Sequence, residues 1–438
     1  MTHDRHHTVI IGGGFGGLTA ARALGGMEGD VTLIDKRNFH LFQPLLYQAA
    51  TGLLCPSEIT SPLRHVLRRQ KNATVLLGEV ADIDPAAKRV ILTDGEVSYD
   101  SLIVAAGMRN HYFGNDEWAK HAPGLKTVED SASIRQKVFM AFEIAERETN
   151  PELGEQWLTF AVIGAGATGI ELSGMLAEIA RHTLKGEFRS IRAETARIML
   201  IDGADRILPG FPEELSARAE ESLGRLGVTT MVKTKLVDIE ESGIRIERGG
   251  TEEFIPARTV LWATGVRAAA LGERLAARTG ARTDRQGRIF VGGDLTIKGY
   301  PEIFVIGDMA HFETETGEIL PGLAPVATQQ GRYAARTILN RLSGKINAGP
   351  FRYFDKGVLA VIGRNAAVGT IGTWRFGGRF AWLLWLFVHL ALLIHYENKL
   401  IVLFRWAFQY INHSHGARHI SLDEEKLELP ITRDSGSE

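Results

Sequence analysis

The chain has 438 residues, 45% hydrophobic and 23% charged, with a formal net charge of −2. At roughly 100–200 residues per domain this length holds two or three domains, and the balance excludes a disordered, collagenous or disulfide-stapled chain. Near-neutral charge offers no basic footprint for nucleic acid, and the single cysteine, Cys55, excludes an internal disulfide, a CxxC redox pair and a thiolate zinc site.

Redox chemistry would therefore need a cofactor. The 48 glycines, well above the usual ~7%, point to backbone that must approach something closely. The start, MTHDRHH, is polar and runs straight into the strand-like TVII. It lacks the basic, apolar and small-residue regions of a signal peptide, so folding in the cytoplasm is expected.

Residues 8–35 read as strand, Gly-rich turn, helix and second strand ending in an acid. Gly12, Gly14 and Gly17 form G-x-G-x-x-G. The first glycine permits the tight turn, the second clears space for a pyrophosphate, and the third lets helix pack on strand. The helix N-terminus supplies N–H groups and positive dipole, and Asp35 stands where a carboxylate holds ribose hydroxyls. The unit closes with SLIVAAG at 101–107. A mixed-charge helix is expected over Val128–Thr149, then a break at Asn150-Pro151.

Residues 159–202 repeat the pattern with Gly164, Gly166, Gly169 and Asp202, across a longer connection, and TVLWATG closes the repeat at Gly265. Gly12 to Gly107 spans 95 residues and Gly164 to Gly265 spans 101, so the four landmarks match as a duplication. An acid at 202 favours NADH over NADPH by repelling a 2′-phosphate, while Arg206 works against that preference. Two dinucleotide loops with no other catalytic apparatus imply FAD at the first and NADH at the second. The strand IFVIGDMA (303–310) puts Asp308 at a carboxyl end, where ligands of parallel sheets bind. Gln329 and Gln330 read as lying just ahead of a helix of small residues.

Near the C-terminus, FAWLLWLFVHLALLI (380–394) is fifteen residues, roughly 22 Å as a helix, short of a ~30 Å hydrocarbon core. A second apolar run, LIVLFRWAFQYI, follows it, and four of the seven tryptophans fall between 374 and 406. Residues 375–418 hold Arg375, Arg379, Lys399, Arg405 and Arg418 against Glu397, a net +4 suited to an anionic membrane surface. A pair of helices lying in one leaflet is expected, with a buried dimer or core interface as the alternative. The histidines His3, His6 and His7, and His413, His415 and His419, lack acidic or cysteine partners, so no metal site is expected. The tail 421–438 reads as acidic and frayed.

The paired loops, together with NFHLFQPLLYQAATGLL (38–54), IFVIGDMA, APVATQQGRYAA (324–335) and DKGVLAVIGRNAAVG (355–369), resemble the two-dinucleotide-binding-domain flavoproteins. The combination is closest to the type II, non-proton-pumping NADH:quinone oxidoreductases, from Thr8 to about Ile420. The resemblance implies an α/β fold of two Rossmann-like dinucleotide-binding domains, the second inserted in the first, plus a membrane-associating helical region. The expected boundaries are 1–125 and 281–345 for the FAD domain, 126–155 for a connecting helix, 156–280 for the NADH domain, 346–420 for the C-terminal region, and 421–438 for the tail.

By the same resemblance Asp308 would bind the FAD ribityl chain, and Ala106 and Gly107 would line the flavin. Gln329 would lie at the quinone side of the ring, Glu171 near the nicotinamide, and Lys356 near the flavin. From the residues alone Gln329 also reads as a plain helix-surface amide, Glu171 as a residue of a helix N-terminus, and Lys356 as a solvated loop lysine. Relatives that reduce disulfides or oxidise sulfide use two or more cysteines beside the flavin, so the lone Cys55 reads as an inert thiol. The expected activity is hydride transfer from NADH to FAD, then two electrons to menaquinone or ubiquinone, by a monotopic protein on the cytoplasmic face of the membrane. A homodimer is left open. The rival is an FAD-dependent NAD(P)H reductase of a soluble acceptor.

Overall fold

The structure is a computed structural model and describes residues 5–346, 349–412 and 416–420. The expected acidic tail and His3, His413 and His415 lie outside the described residues. In the first part of the chain the principal elements are β1 (His6–Ile11), α1 (Phe15–Ala23), β2 (Gly29–Asp35), α2 (Leu46–Ala50), β3 (Ala73–Leu77), β4 (Ser101–Val104) and α3 (Val128–Arg147). The middle supplies β5 (Thr159–Ile163), α4 (Ala167–Glu178), β6 (Arg197–Ile201), β7 (Val228–Met231) and β8 (Thr259–Trp262). The last part supplies β9 (Thr296–Ile297), β10 (Tyr300–Val305), α5 (Ala324–Leu342), β11 (Val358–Gly363), β12 (Ala366–Ile371), β13 (Trp374–Gly377), α6 (Gly378–Leu392) and α7 (Tyr396–Asn412).

The chain divides into two compact units. The first comprises Met1–Phe42, Thr60–His111 and Val266–Lys356. Its six-stranded sheet has the order β9-β10-β4-β1-β2-β3, parallel except for the β9/β10 pair. Val9, Ile10, Leu33, Ile34, Leu102 and Ile103 are buried in it, as expected of parallel strands covered on both faces. The helices α1 and α5 cross closely: a Cβ on Gly331 would lie 2.3 Å from the Gly16 carbonyl. The small residues of GGLTAARA and GRYAA therefore serve backbone contact. Gln329 and Gln330 lie inside α5, which starts at Ala324, earlier than the sequence suggested, because Pro325 sits in its first turn, a position that tolerates proline.

The second unit comprises Gln43–Ile59, Tyr112–Gly265 and Gly357–Glu438. Its parallel sheet has the order β7-β6-β5-β8, and β11-β12-β13 form a separate antiparallel sheet. A capping box starts α3: the Thr127 hydroxyl accepts from Asp130 N–H and the Asp130 carboxylate from Thr127 N–H. The Asn150-Pro151 break starts a further short helix, Pro151–Trp157, capped by the Asn150 side chain. A Cβ on Gly174 would lie 1.8 Å from the Ile362 carbonyl, so this glycine seats α4 directly on β11. The two expected C-terminal helices are present as α6 and α7, and among the described residues no helix is long and apolar enough to cross a membrane.

Candidate active site

In the first unit the sheet's carboxyl edge gathers Gly12, Gly14, Gly17, Asp35, Ala106, Gly107 and Asp308, each just past or at the end of β1, β2, β4 or β10. Gly12 has φ +102°, and a Cβ there would lie 2.3 Å from the Ala105 carbonyl. A Cβ on Gly17 would lie 1.9 Å from the Gly12 carbonyl, whereas one on Gly14 would meet only open space. Gly14 caps α1 with no side-chain cap, so the first-turn N–H groups face a space that a phosphate would fill. Asp35 accepts from Gly13 N–H at 2.5 Å and from Arg37 N–H at 2.7 Å. It thus holds the loop as well as standing at the ribose position. Asp308 lies in the turn Gly307–Met309, where the Gly307 N–H donates to the buried Gln330 amide oxygen at 2.6 Å.

The second unit repeats this geometry with Gly164, Gly166, Gly169, Asp202 and Gly265 beyond β5, β6 and β8. Gly164 has φ +107°, and a Cβ on Gly169 would lie 1.8 Å from the Gly164 carbonyl. Asp202 accepts from Ala165 N–H at 2.6 Å and Ala204 N–H at 2.7 Å. Gly166 is open and caps α4 without a side chain. The expectation that Arg206 weakens a preference for NADH is corrected: its guanidinium donates to the carbonyls of Leu208, Pro209 and Phe211 and to the Ser216 hydroxyl. It is occupied in holding that loop.

Gln329 and Lys356 belong to the first unit and Glu171 to the second. The Gln329 amide clasps the Phe354 backbone from both sides, donating to its carbonyl and accepting from its N–H, each at 2.9 Å. Lys356 is exposed in the segment that follows.

Glu171 lies in the wall of a cavity of about 670 Å³ within the second unit. The polar lining includes Tyr47, Gln48, Glu171, Glu178 and Arg364, with Gln409 and Tyr410 from α7, and the apolar lining comes mainly from α6 and α7. Gln48 is buried and fixed on two sides: its oxygen accepts from the Trp406 indole at 2.8 Å, and its NH₂ donates to the Tyr47 hydroxyl at 2.9 Å. Burial pushes the Glu171 carboxyl well above the usual carboxylate range, with a Val361 N–H pulling the other way. Burial also raises Glu178, opposed by the Arg364 N–H and the Arg364 charge. Tyr47 is pushed well above an ordinary phenol, first by burial, then by Glu171, with Glu178 adding a smaller push. Burial therefore favours the protonated forms of two carboxyls and a phenol that line one largely apolar cavity.

Sequence reasoning missed Tyr47, Gln48 and Glu178. Glu178 had a signal, its place seven residues from Glu171 on one helix face. Cys55 sits at the start of a short turn, its thiol pushed up first by burial and then by Glu58, which favours an unreactive thiol.

The helices α6 and α7 expose Phe380, Phe387, Tyr396, Phe404, Phe408 and Ile411, of which Phe387 and Ile411 also line the cavity. The expected basic surface there is smaller than the sequence count. Arg405 pairs with Glu58, Arg418 with Glu187, and Arg375 approaches Glu214, so three of the five cations face carboxylates of the body.

The family model described as pyridine nucleotide-disulphide oxidoreductase matches residues 6–331. The type II NADH:quinone oxidoreductase Ndh of Mycobacterium tuberculosis is 44% identical over 419 residues, covering 94% of this chain and 89% of that protein. NdhA of the same organism is 43% identical, covering 95% and 90%. The fold also matches a structure of NDH2 from Plasmodium falciparum in complex with NADH, with a TM-score of 0.86 at 20% identity over 94% of this chain and 99% of that one. The two dinucleotide cradles and these matches define a pyridine nucleotide-disulphide oxidoreductase, and within that class the chain belongs to the type II NADH:quinone oxidoreductase family.

Proposed function

We propose that this protein oxidises NADH and reduces a membrane quinone, with FAD as its resident cofactor: NADH + H⁺ + quinone → NAD⁺ + quinol. FAD would be held by Gly12, Gly14, Gly17, Asp35, Ala106, Gly107 and Asp308, and when bound it supplies acceptance of a hydride and release of electrons to a second acceptor. The open space at Gly14 beside an uncapped helix start fits its pyrophosphate. NADH would be held by Gly164, Gly166, Gly169 and Gly265, with Asp202 disfavouring a 2′-phosphate.

The cavity in the second unit is the observation that carries the acceptor assignment. An aromatic-walled space of this size suits the ring of a lipid quinone, and Glu171, expected from the sequence near the nicotinamide, is assigned to this space instead: burial favours its protonated form, which can donate a hydrogen bond, and then a proton, to a quinone oxygen. Gln329 acts at one remove, by ordering the segment around Phe354, and Lys356 would lie near the flavin. The exposed aromatic faces of α6 and α7 would rest in one leaflet of the cytoplasmic membrane face, with rings at the headgroup boundary. Menaquinone and ubiquinone both fit this chemistry.

The test is Glu171→Gln in the flavin-loaded enzyme. Reduction of short-chain ubiquinone and menaquinone is expected to fall by about 100-fold, while reduction of the bound flavin by NADH stays near wild type. Unchanged quinone turnover would remove Glu171 from the site. Full release of the protein from membranes by salt alone would contradict the leaflet-embedded helices.

A further inference from the structure

The overall reaction takes one hydrogen from NADH as hydride and one proton from water, so a path must run from solvent to the quinone. Glu171 and Glu178 lie seven residues apart on α4, about 10 Å along the axis and on one face, and both line the cavity. Glu178 is 7% exposed and accepts from the Arg364 N–H. Tyr47 lines the same cavity as both carboxyls. Its oxygen already accepts from Gln48, which leaves its hydrogen to be donated.

Directly after Glu178 the helix opens into a π-helical turn, Ile179–Thr183, a local widening that often marks functional positions. That turn carries the exposed His182 one turn beyond Glu178. Arg364 is the common neighbour, acting electrostatically on both Glu178 and His182 and stacking over Tyr410 at 4.3 Å on the cavity wall.

Resting on the quinone assignment above, we infer that Glu178 is the proton-relay residue that recharges Glu171. A proton taken up at the His182 end protonates the Glu178 carboxylate. Glu178 gives it to the Tyr47 oxygen as Tyr47 releases its own hydroxyl proton to the Glu171 carboxylate, and Glu171 gives it to the reduced quinone oxygen. One proton enters from solvent and one is delivered per turnover; the two electrons come from NADH. The groups around Glu178 are Tyr47 from α2 and Glu171 from α4 on the shared cavity wall and Arg364 from the turn after β11, while His182 on the π-turn has Arg364, Lys185 and Arg181 as its charged neighbours. Glu178 acts through Glu171 and is a positioning residue for the proton, not one that touches the quinone.

The experiment compares two acceptors in the flavin-loaded enzyme: short-chain ubiquinone, which needs protons, and ferricyanide, which takes electrons alone. Glu178→Gln keeps the acceptor for the Arg364 N–H but cannot pass a proton. It is expected to lower quinone turnover by roughly tenfold and ferricyanide turnover by less than about twofold. Glu178→Asp, which restores an acid, is expected to recover part of the quinone rate. Wild-type quinone turnover in Glu178→Gln overturns the relay. Parallel loss with both acceptors also overturns it, since that marks a structural role, as does Glu178→Asp being as slow as Glu178→Gln. Failure of the quinone assignment itself reads differently: the wild-type enzyme would reduce ferricyanide but neither quinone.

Discussion

The two dinucleotide loops share a backbone and differ in how tightly that backbone is held. In both, the first glycine has a φ slightly above +100°, a Cβ at the third would collide with the first glycine's carbonyl, and an acid fastens the residue after the first glycine. At that residue the first unit has Gly13, where a Cβ would lie 2.7 Å from the Leu63 side chain and 3.2 Å from the Asp35 carboxylate. The second unit has Ala165. The Gly13 carbonyl accepts from the buried His40 ring at 2.9 Å, with Phe15 edge-on to that ring, whereas the Ala165 carbonyl accepts a backbone N–H, from Leu208. A loop locked by an imidazole and a leucine suits a resident cofactor. One fastened by its acid without such an imidazole and leucine, and with a methyl tolerated, suits a ligand that arrives and leaves each cycle.

The largest expected effect separates the loops outright. Gly17→Ala forces a methyl onto a backbone carbonyl and should yield protein without flavin absorbance. Gly169→Ala should give yellow protein whose NADH KM rises by about 100-fold. If both variants keep flavin and NADH binding, the loops are not the cradles described.

Next, Gly13→Ala should weaken flavin retention by about tenfold, measured by dialysis against guanidinium. Ala165→Gly should change NADH binding by less than about 1 kcal/mol, the flexibility cost of glycine. Equal responses would erase the distinction between resident and visiting ligand. Arg206→Ala removes the donor to three carbonyls and a hydroxyl and should lower stability by about 1–3 kcal/mol. It should leave the NADH-to-NADPH ratio unchanged; a rise in that ratio would return Arg206 to the phosphate site.

The smallest effect is pH-dependent. Burial lowers the His40 pKa, opposed by its bond to Gly13 and by Asp35. The folded protein therefore holds fewer protons at this site than the unfolded chain, and stability is lost as pH falls below the ordinary value of 6.5. His40→Asn should flatten this part of the Tm profile below pH 6.5 relative to wild type. An unchanged slope would mean that His40 does not set it.

The cradles were legible in sequence because each lies within one strand–turn–helix–strand run. Gly17 and Gly169 do their work on backbone a few residues away, at the carbonyls of Gly12 and Gly164. The acid cavity was largely hidden because Tyr47, Glu178, Arg364 and Trp406 come from four distant segments, and no local pattern marks their meeting. Gln329 was visible as a residue, but its amide is turned to the Phe354 backbone by the fold of a segment 25 residues on. The basic C-terminal surface was overcounted for a similar reason. A charge tally cannot see that Glu58 and Glu187, more than 200 residues earlier, pair with Arg405 and Arg418.

The central claim, one resident flavin served by NADH and drained by a quinone, is tested most directly by anaerobic absorbance. NADH added to the purified holoenzyme should bleach the flavin, and ubiquinone or menaquinone added next should restore its colour. Bleaching that neither quinone reverses would contradict the account.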